Sequence, residues 1–236
     1  MRIRWSFFRF LCYNSIRTDE IEELKVSGRV KTRNDKQYQM KKREILKGFS
    51  EMIAEFGLEN ISIAKLAKHL EIPPSLIIYY FQNRDILIDE MVSYVLERCL
   101  EMSYPGIDKE INDPSRQLEA YLDTLFDPSQ SPEEAKSESK VFFTCRNLAL
   151  RDEATKLKFQ SYQKKILSLM EEDLNYFLRQ GIISTPDVGE AAILLYSLLN
   201  GLDDFSDFIT EKETSQIAAE SSKRLYKSYL GIKEQK

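Results

Sequence analysis

Histidine and tryptophan each occur once in this 236-residue chain and cysteine only three times, and these scarcities exclude much catalytic and structural chemistry. Cys12, Cys99 and Cys145 are odd in number and lack paired spacing, so neither a disulfide framework nor a zinc site is expected. A reducing cytoplasm fits that usage. His69 stands beside Lys65 and Lys68 with no carboxylate or thiol at ligand spacing, which makes it a surface residue rather than a catalytic base. With eight glycines there is no phosphate-cradling loop and no nucleophile motif. Asp203-Asp204 and Glu171-Glu172 read as solvated helix faces. No catalytic residue, metal or cofactor is therefore expected. No run approaches the about 20 apolar residues that span a bilayer, so no membrane segment is expected either.

What is present is a helical pattern and an uneven charge. A 42% hydrophobic content leaves room for one small and one larger domain, each with a core. Residues 29–88 hold 11 Lys and Arg against 7 Asp and Glu, whereas residues 89–236 hold 18 against 27. The negative total of −4 thus conceals a basic head. Arg29, Lys31, Arg33, Lys36, Lys41, Lys42 and Arg43 form a dense run into the first helix. Two readings stay open for it: a solvated tail, or an arm that tracks phosphates or enters a minor groove. Met1 to Tyr13 is aromatic and basic, but Arg9 interrupts it and no small-residue cleavage site follows, so it makes a poor secretory signal. Residues 1–37 are expected to be a disordered extension with a basic arm.

The most specific pattern begins at Ile45, Leu46, Phe49, Met52, Ile53 and Phe56, which give one apolar helical face closed by Gly57. Ser62 can cap a second helix whose Ile63, Leu66, Ala67 and Leu70 return to the core, leaving Lys65, Lys68 and His69 outward. Pro73 and Pro74 stop that helix and start a third, Ser75 to Phe81. In it Ile77 and Phe81 can bury, so that Ser75, Leu76, Tyr79 and Tyr80 face solvent or a groove. Asn83 caps the next helix at Arg84, where backbone donors and a guanidinium would seat a phosphate. This is the layout of a helix-turn-helix.

Over residues 38 to 92 these features resemble the TetR-type bacterial transcriptional regulators. The resemblance lies in Ser62 before the second helix, the pair Ile63-Ala64, the ending Tyr79-Tyr80-Phe81, and Arg84, Asp85 and Leu87 at a Lys-Glu-Xaa-Leu motif. Where that family has Gly-Val-Ser-Xaa-Gly-Thr-Leu-Tyr, this chain has Glu71-Ile72-Pro73-Pro74-Ser75-Leu76-Ile77-Ile78, an unusually apolar reading helix. The resemblance implies operator DNA as partner, with Lys41, Ser62, Lys65, Pro74, Ser75, Leu76, Tyr79, Tyr80 and Arg84 as the DNA-binding set. Within it Ser75 and Leu76 would touch bases, and Ser62, Tyr79, Tyr80 and Arg84 would touch phosphates.

Beyond the reader the pattern predicts helices over Arg84–Ser103, Ser115–Phe126, Glu133–Leu150, Asp152–Gln180, Asp187–Ile209 and Ser215–Tyr229, with a turn-rich loop over Asp127–Pro132. The expected fold is all-α with about nine helices: a three-helix DNA-binding domain over 38–92 and a larger effector-binding and dimerisation domain over 93–236. The stretch Ala191 to Leu202 is apolar around much of its circumference, which points to a homodimer interface through Leu194, Leu195, Leu198 and Leu202. Asn200-Gly201-Leu202, and Leu122 to Pro128 ahead of Phe142-Phe143, are similar to the choline-responsive BetI branch.

An effector pocket would draw on Tyr94, Tyr121, Phe142, Phe143, Phe159, Tyr162 and Tyr176, each of which taken singly suits a plain core better than a ligand contact. Glu138 could join aromatic faces around a cationic ligand, and a greasy ligand is the other option. The family's behaviour implies a dimeric repressor released by a small-molecule effector. A helical adaptor that has lost specific DNA binding is the alternative.

Overall fold

Helix starts and stops in the computed structural model follow the local punctuation of the sequence. It describes residues 33–103, 106–126, 133–208 and 211–232. Among these the regular elements are nine α-helices and one 3-10 turn, without strands. In order they are α1 (Arg33–Phe56), the 3-10 turn (Leu58–Asn60), α2 (Ile63–His69), α3 (Pro74–Phe81), α4 (Arg84–Ser103), α5 (Pro114–Phe126), α6 (Glu133–Ala149), α7 (Glu153–Arg179), α8 (Val188–Phe208) and α9 (Lys212–Tyr229). The expected Asp127–Pro132 loop, Arg29, Lys31 and the Glu138 side chain lie outside the described residues. None of the described helices is long and apolar enough to cross a membrane.

Two compact units divide the chain. Among the described residues, one takes 33–98 together with 137–159, and the other takes those from Cys99 to Lys136 together with those from Gln160 onward. In the first, Ile45, Phe49, Leu66, Ile77 and Phe81 are almost fully buried. Burial of such side chains stabilises by about 1.5–3 kcal/mol each, and it holds together helices too short to persist alone. Gly48 lets α1 come close to α2, since a Cβ there would lie only 2.4 Å from Leu70 Cδ2. Lys42 on α1 ties this core to α4 through an ion pair with Glu90 at 2.7 Å, and its ammonium lies 5.4 Å from the Phe81 ring centre. Further along the same unit, Asp89 of α4 pairs with Lys158 of α7, and the Cys145 thiol of α6 meets Met91 sulfur at 3.6 Å. Burial pushes that thiol up to about 12.

In the second unit, Tyr226 of α9 is fully buried and its hydroxyl donates to the Ala191 carbonyl of α8 at 3.0 Å. Removal from water raises the Tyr226 pKa well above that of a free phenol. Three residues before it and one after, Lys223 and Lys227 reach α5, where Lys223 pairs with Asp123 and Lys227 with Glu119 at 2.6 Å. On α5 the buried Gln117 donates to the Ile111 carbonyl at 2.6 Å and accepts from the Tyr176 hydroxyl at 2.8 Å.

Three helices end alike, and the difference among them is informative. After α7, Gly181 N donates to Leu178 O and Ile182 N to Phe177 O; after α9, Gly231 N donates to Ser228 O and Ile232 N to Lys227 O. This double bond pattern needs one left-handed residue, which glycine supplies at φ 68° and 73°. After α2 the same pattern joins Glu71 N to Lys68 O and Ile72 N to Ala67 O, but the left-handed residue is Glu71 at φ 53°. A side chain in that region costs about 1–2 kcal/mol.

The 3-10 turn was not visible as periodicity, and it is held by the start of α4. Arg84, half-buried, donates from Nε to Ile61 O at 3.2 Å and from Nη2 to Leu58 O at 2.9 Å.

Two stability outcomes follow from these contacts. Glu71→Gly should raise the unfolding free energy in urea by roughly 0.5–1 kcal/mol, the strain relieved less the added freedom of the unfolded chain. A loss instead would mean that the Glu71 side chain contributes more than its backbone costs. Arg84→Ala should lower stability by about 1.5–3 kcal/mol, because two carbonyls lose a charged donor. Arg84→Lys should recover little, since an ammonium cannot span both acceptors. An unchanged denaturation midpoint for Arg84→Ala would show that the clamp is not structural.

Candidate nucleic-acid interface

Ser62 takes an extended backbone and its Oγ accepts from Lys65 N at 3.2 Å, which caps α2. Lys65 Nζ donates to Asn60 O at 2.8 Å. Lys65, Lys68 and His69 are exposed along this helix, and the pair that α2 buries is Leu66 and Ala67, with Ala64 exposed. The left-handed turn at Glu71 then delivers the chain to Pro73, the N-cap of α3, with Pro74 at its first position. A proline there forgoes an amide hydrogen that the helix would leave unpaired anyway.

Burial of Ile77 and Phe81 fixes the phase of α3. Its outward strip is Pro74, Ser75, Ile78 and Tyr79, all exposed, with Ile78 at 48% and Tyr79 at 67%. Leu76 and Tyr80 are half-buried. Ile78 therefore stands outward, where the sequence had suggested Leu76 and Tyr80. Tyr80 is covered by Tyr38 of α1, with ring centres 4.8 Å apart, and Tyr79 meets both rings edge-on at 6.2 Å and 5.1 Å. Three phenols thus gather at one edge of the α2–α3 pair, and Tyr38 belongs to a group that the sequence reading did not name. A tyrosine 41 residues upstream of Tyr79 carries no local signal of that proximity.

Asn83 Oδ1 accepts from Ile86 N at 2.9 Å and caps α4, as its position suggested. The Arg84 guanidinium beside it spends two donors on the Ile61 and Leu58 carbonyls. Lys41 pairs with Glu44 at 2.9 Å and remains partly accessible. The surface combines exposed cations on α2 with an apolar strip and phenols on α3. It can take up a polyanion through the first and press an apolar ridge against it through the second.

The aromatic residues considered for an effector fall in different units. Phe142 and Phe159 pack with ring centres 5.4 Å apart in the first, where Phe143 has Arg146 at 5.7 Å and Tyr94 is half-buried. In the second, Tyr121 and Tyr162 are buried, Tyr121 packs on Phe177 at 5.9 Å, and Tyr176 bonds Gln117. Gln117 itself was missed, since a lone glutamine on an amphipathic helix gives no sequence signal.

On α8, Leu195 and Leu202 are buried within their own chain, while Leu194 and Leu198 are half-buried. The exposed apolar residues there are Ile193 and Phe205, joined on α9 by Ile217 and Leu225. Ile193, Ser197, Gly201 and Phe205 recur every four residues and so share one face.

No family model matches the sequence, and no curated protein matches it. Solved structures match the fold. A TetR transcription regulator from Haloarcula marismortui aligns at a TM-score of 0.63 and 18% identity, over 84% of this chain and 100% of that one. GusR from Salmonella enterica aligns at 0.59 and 16% identity, over 85% and 98%. A Saccharomonospora viridis protein solved in complex with choline aligns at 0.59 and 17% identity, over 82% and 96%. At such identities the likeness is one of architecture, and the chain has the all-helical fold seen in a TetR transcription regulator.

Proposed function

We propose that this chain is a sequence-specific DNA-binding transcriptional regulator that works in the cytoplasm as a homodimeric repressor, released from its operator by a small-molecule effector. The observation that carries this reading is the α2–turn–α3 arrangement, a buried Ile77 and Phe81 turning Pro74, Ser75, Ile78 and Tyr79 outward beside exposed Lys65 and Lys68. The reader occupies residues 38–92, the basic residues before it serve as an arm, and residues 93–236 hold the effector and form the dimer. Lys41, Ser62, Lys65, Tyr79 and Tyr80 position the protein on phosphates. Arg84 acts in large part through the turn that it clamps.

The dimer forms through the outer faces of α8 and α9, which with their two-fold copies make a four-helix bundle. Ile193, Phe205, Ile217 and Leu225 supply its exposed apolar groups, flanked by Leu194 and Leu198. An effector acts by preferring one separation of the two reading helices over another, so its differential affinity sets how completely DNA is released. The choline held by the Saccharomonospora protein supports a cationic ligand here, for which the tyrosine and phenylalanine faces are suited. No step of this reading requires catalysis.

Selection of bound fragments from the source genome, followed by titration of the best fragment, tests the reading. A pseudo-palindromic site should emerge, and its affinity should fall about a hundredfold or more between 50 and 200 mM salt. Recovery of no enriched site would instead favour a helical adaptor that binds protein alone. Ile193→Asp combined with Leu225→Glu should leave the helical content intact, since both side chains are over half exposed at 55% and 59%, yet give a monomer in sedimentation and abolish tight operator binding. A dimer that survives both charges would place the interface elsewhere.

A further inference from the structure

We propose that the reading helix selects its half-site chiefly through thymine C5-methyl groups seated against Ile78 and the adjoining Pro74, an inference that rests on the DNA-binding reading above. The residues of α3, Pro74-Ser-Leu-Ile-Ile-Tyr-Tyr-Phe81, include no Arg, Lys, Asn, Gln, Asp or Glu. Those are the side chains that recognise guanine, adenine or cytosine by hydrogen bonds in the major groove. The methyl of thymine is the one base-edge feature there that an aliphatic side chain reads directly.

The phase of α3 decides which aliphatic groups reach it. Ile77 is fully buried and Leu76 half-buried, whereas Ile78 keeps 48% of its surface exposed one helical turn beyond the exposed Pro74. Both side chains are stiff, one a ring and the other branched at Cβ, so little rotamer freedom is lost on contact. Four residues of helix advance about 6 Å, close to two base-pair steps of duplex, so the two ends of the ridge match base pairs about two steps apart.

Polar groups on this face are few, and the tyrosine among them is already held. Tyr79 lies against Tyr38 and Tyr80, which ties it to α1 at the edge of the strip. Ser75 remains as a donor or acceptor to a base. The exposed cations Lys65 and Lys68 sit on α2, the helix that packs on α3, and complement the charge of a duplex against which the neutral strip is pressed. That complementarity favours DNA as the occupant over an apolar protein partner.

The test replaces thymine by uracil, which removes the methyl and leaves every hydrogen-bonding group in place. The tightest duplex recovered from a random pool by the full-length protein is resynthesised with deoxyuridine at each thymine in turn, and affinities are compared at one salt concentration. One or two positions per half-site, about two base-pair steps apart, should weaken binding by roughly fourfold each. Ile78→Ala should keep the melting temperature and the salt dependence of wild type but lose most of the preference for thymine over uracil at the position that Ile78 reads, while the position that Pro74 reads keeps its own. Uniform tolerance of uracil by wild type, or an undiminished thymine preference in Ile78→Ala, would overturn the proposal. Failure of the pool to yield any preferred duplex would overturn the DNA-binding reading itself, and an enriched duplex indifferent to uracil would spare that reading while sinking this one.

Discussion

An eight-residue helix cannot stand alone in water, and α3 has no more than that. It exists because Ile77 and Phe81 are withdrawn into a core with Ile45, Phe49 and Leu66, and its angle of entry is set by the left-handed turn at Glu71 before it. Everything on the outward surface of α3 follows from that anchorage. Once two positions four apart are buried, the positions on the other side of the helix must face outward, whatever their chemistry. Here they are two aliphatic groups, a serine and a tyrosine. The Arg84 clamp works on the same core from the other side, by satisfying carbonyls of the 3-10 turn that packs Leu58 inward.

The element boundaries were legible because the chain punctuates itself. Gly57, Pro73, Asn83 and Gly181 each end or start a helix where local stereochemistry demands it. Orientation within α3 was less legible. Ser75 and Tyr79 were read correctly as outward, but Tyr80 is covered by Tyr38, and Ile78 takes the exposed place. Such a contact joins residues 42 apart in sequence, and no periodicity within one helix reports it. Arg84 illustrates the same limit. Its position beside a helix cap suggested an anion site, whereas the carbonyls that it reaches belong to a turn and its C-cap without any periodic signature.

The α8–α9 pair shows why a helix that is apolar all round is hard to orient from sequence. Ala191 to Leu202 offers no polar face by which to decide which leucines go inside. The decision is made on α9, where Lys223 and Lys227 are drawn to Glu119 and Asp123 of α5 and Tyr226 is buried on Ala191. With that side of α9 committed, Ile217 and Leu225 must point away, and Leu195, Leu199 and Leu202 of α8 are spent within the chain. Exposed apolar groups remain on these helices, namely Ile193, Phe205, Ile217 and Leu225. Exposed groups of that kind, recurring on adjacent helices, are the ordinary mark of an interface.

The proposed dimer and the proposed mode of reading depend on each other. A ridge that senses two methyl groups, worth roughly fourfold each, separates a preferred half-site from others by only about sixteenfold. A single reader of that kind would be swamped by the non-specific attraction of its own lysines for phosphate. Two readers held in fixed register multiply their preferences, which raises the discrimination to a few hundredfold for independent half-sites. A reader poor in hydrogen-bonding side chains therefore has more need of rigid pairing than one that grips guanine through arginine. The apolar outer face of α8 and α9 and the aliphatic face of α3 then belong to one proposed scheme, in which the interface supplies the selectivity that each reading helix lacks.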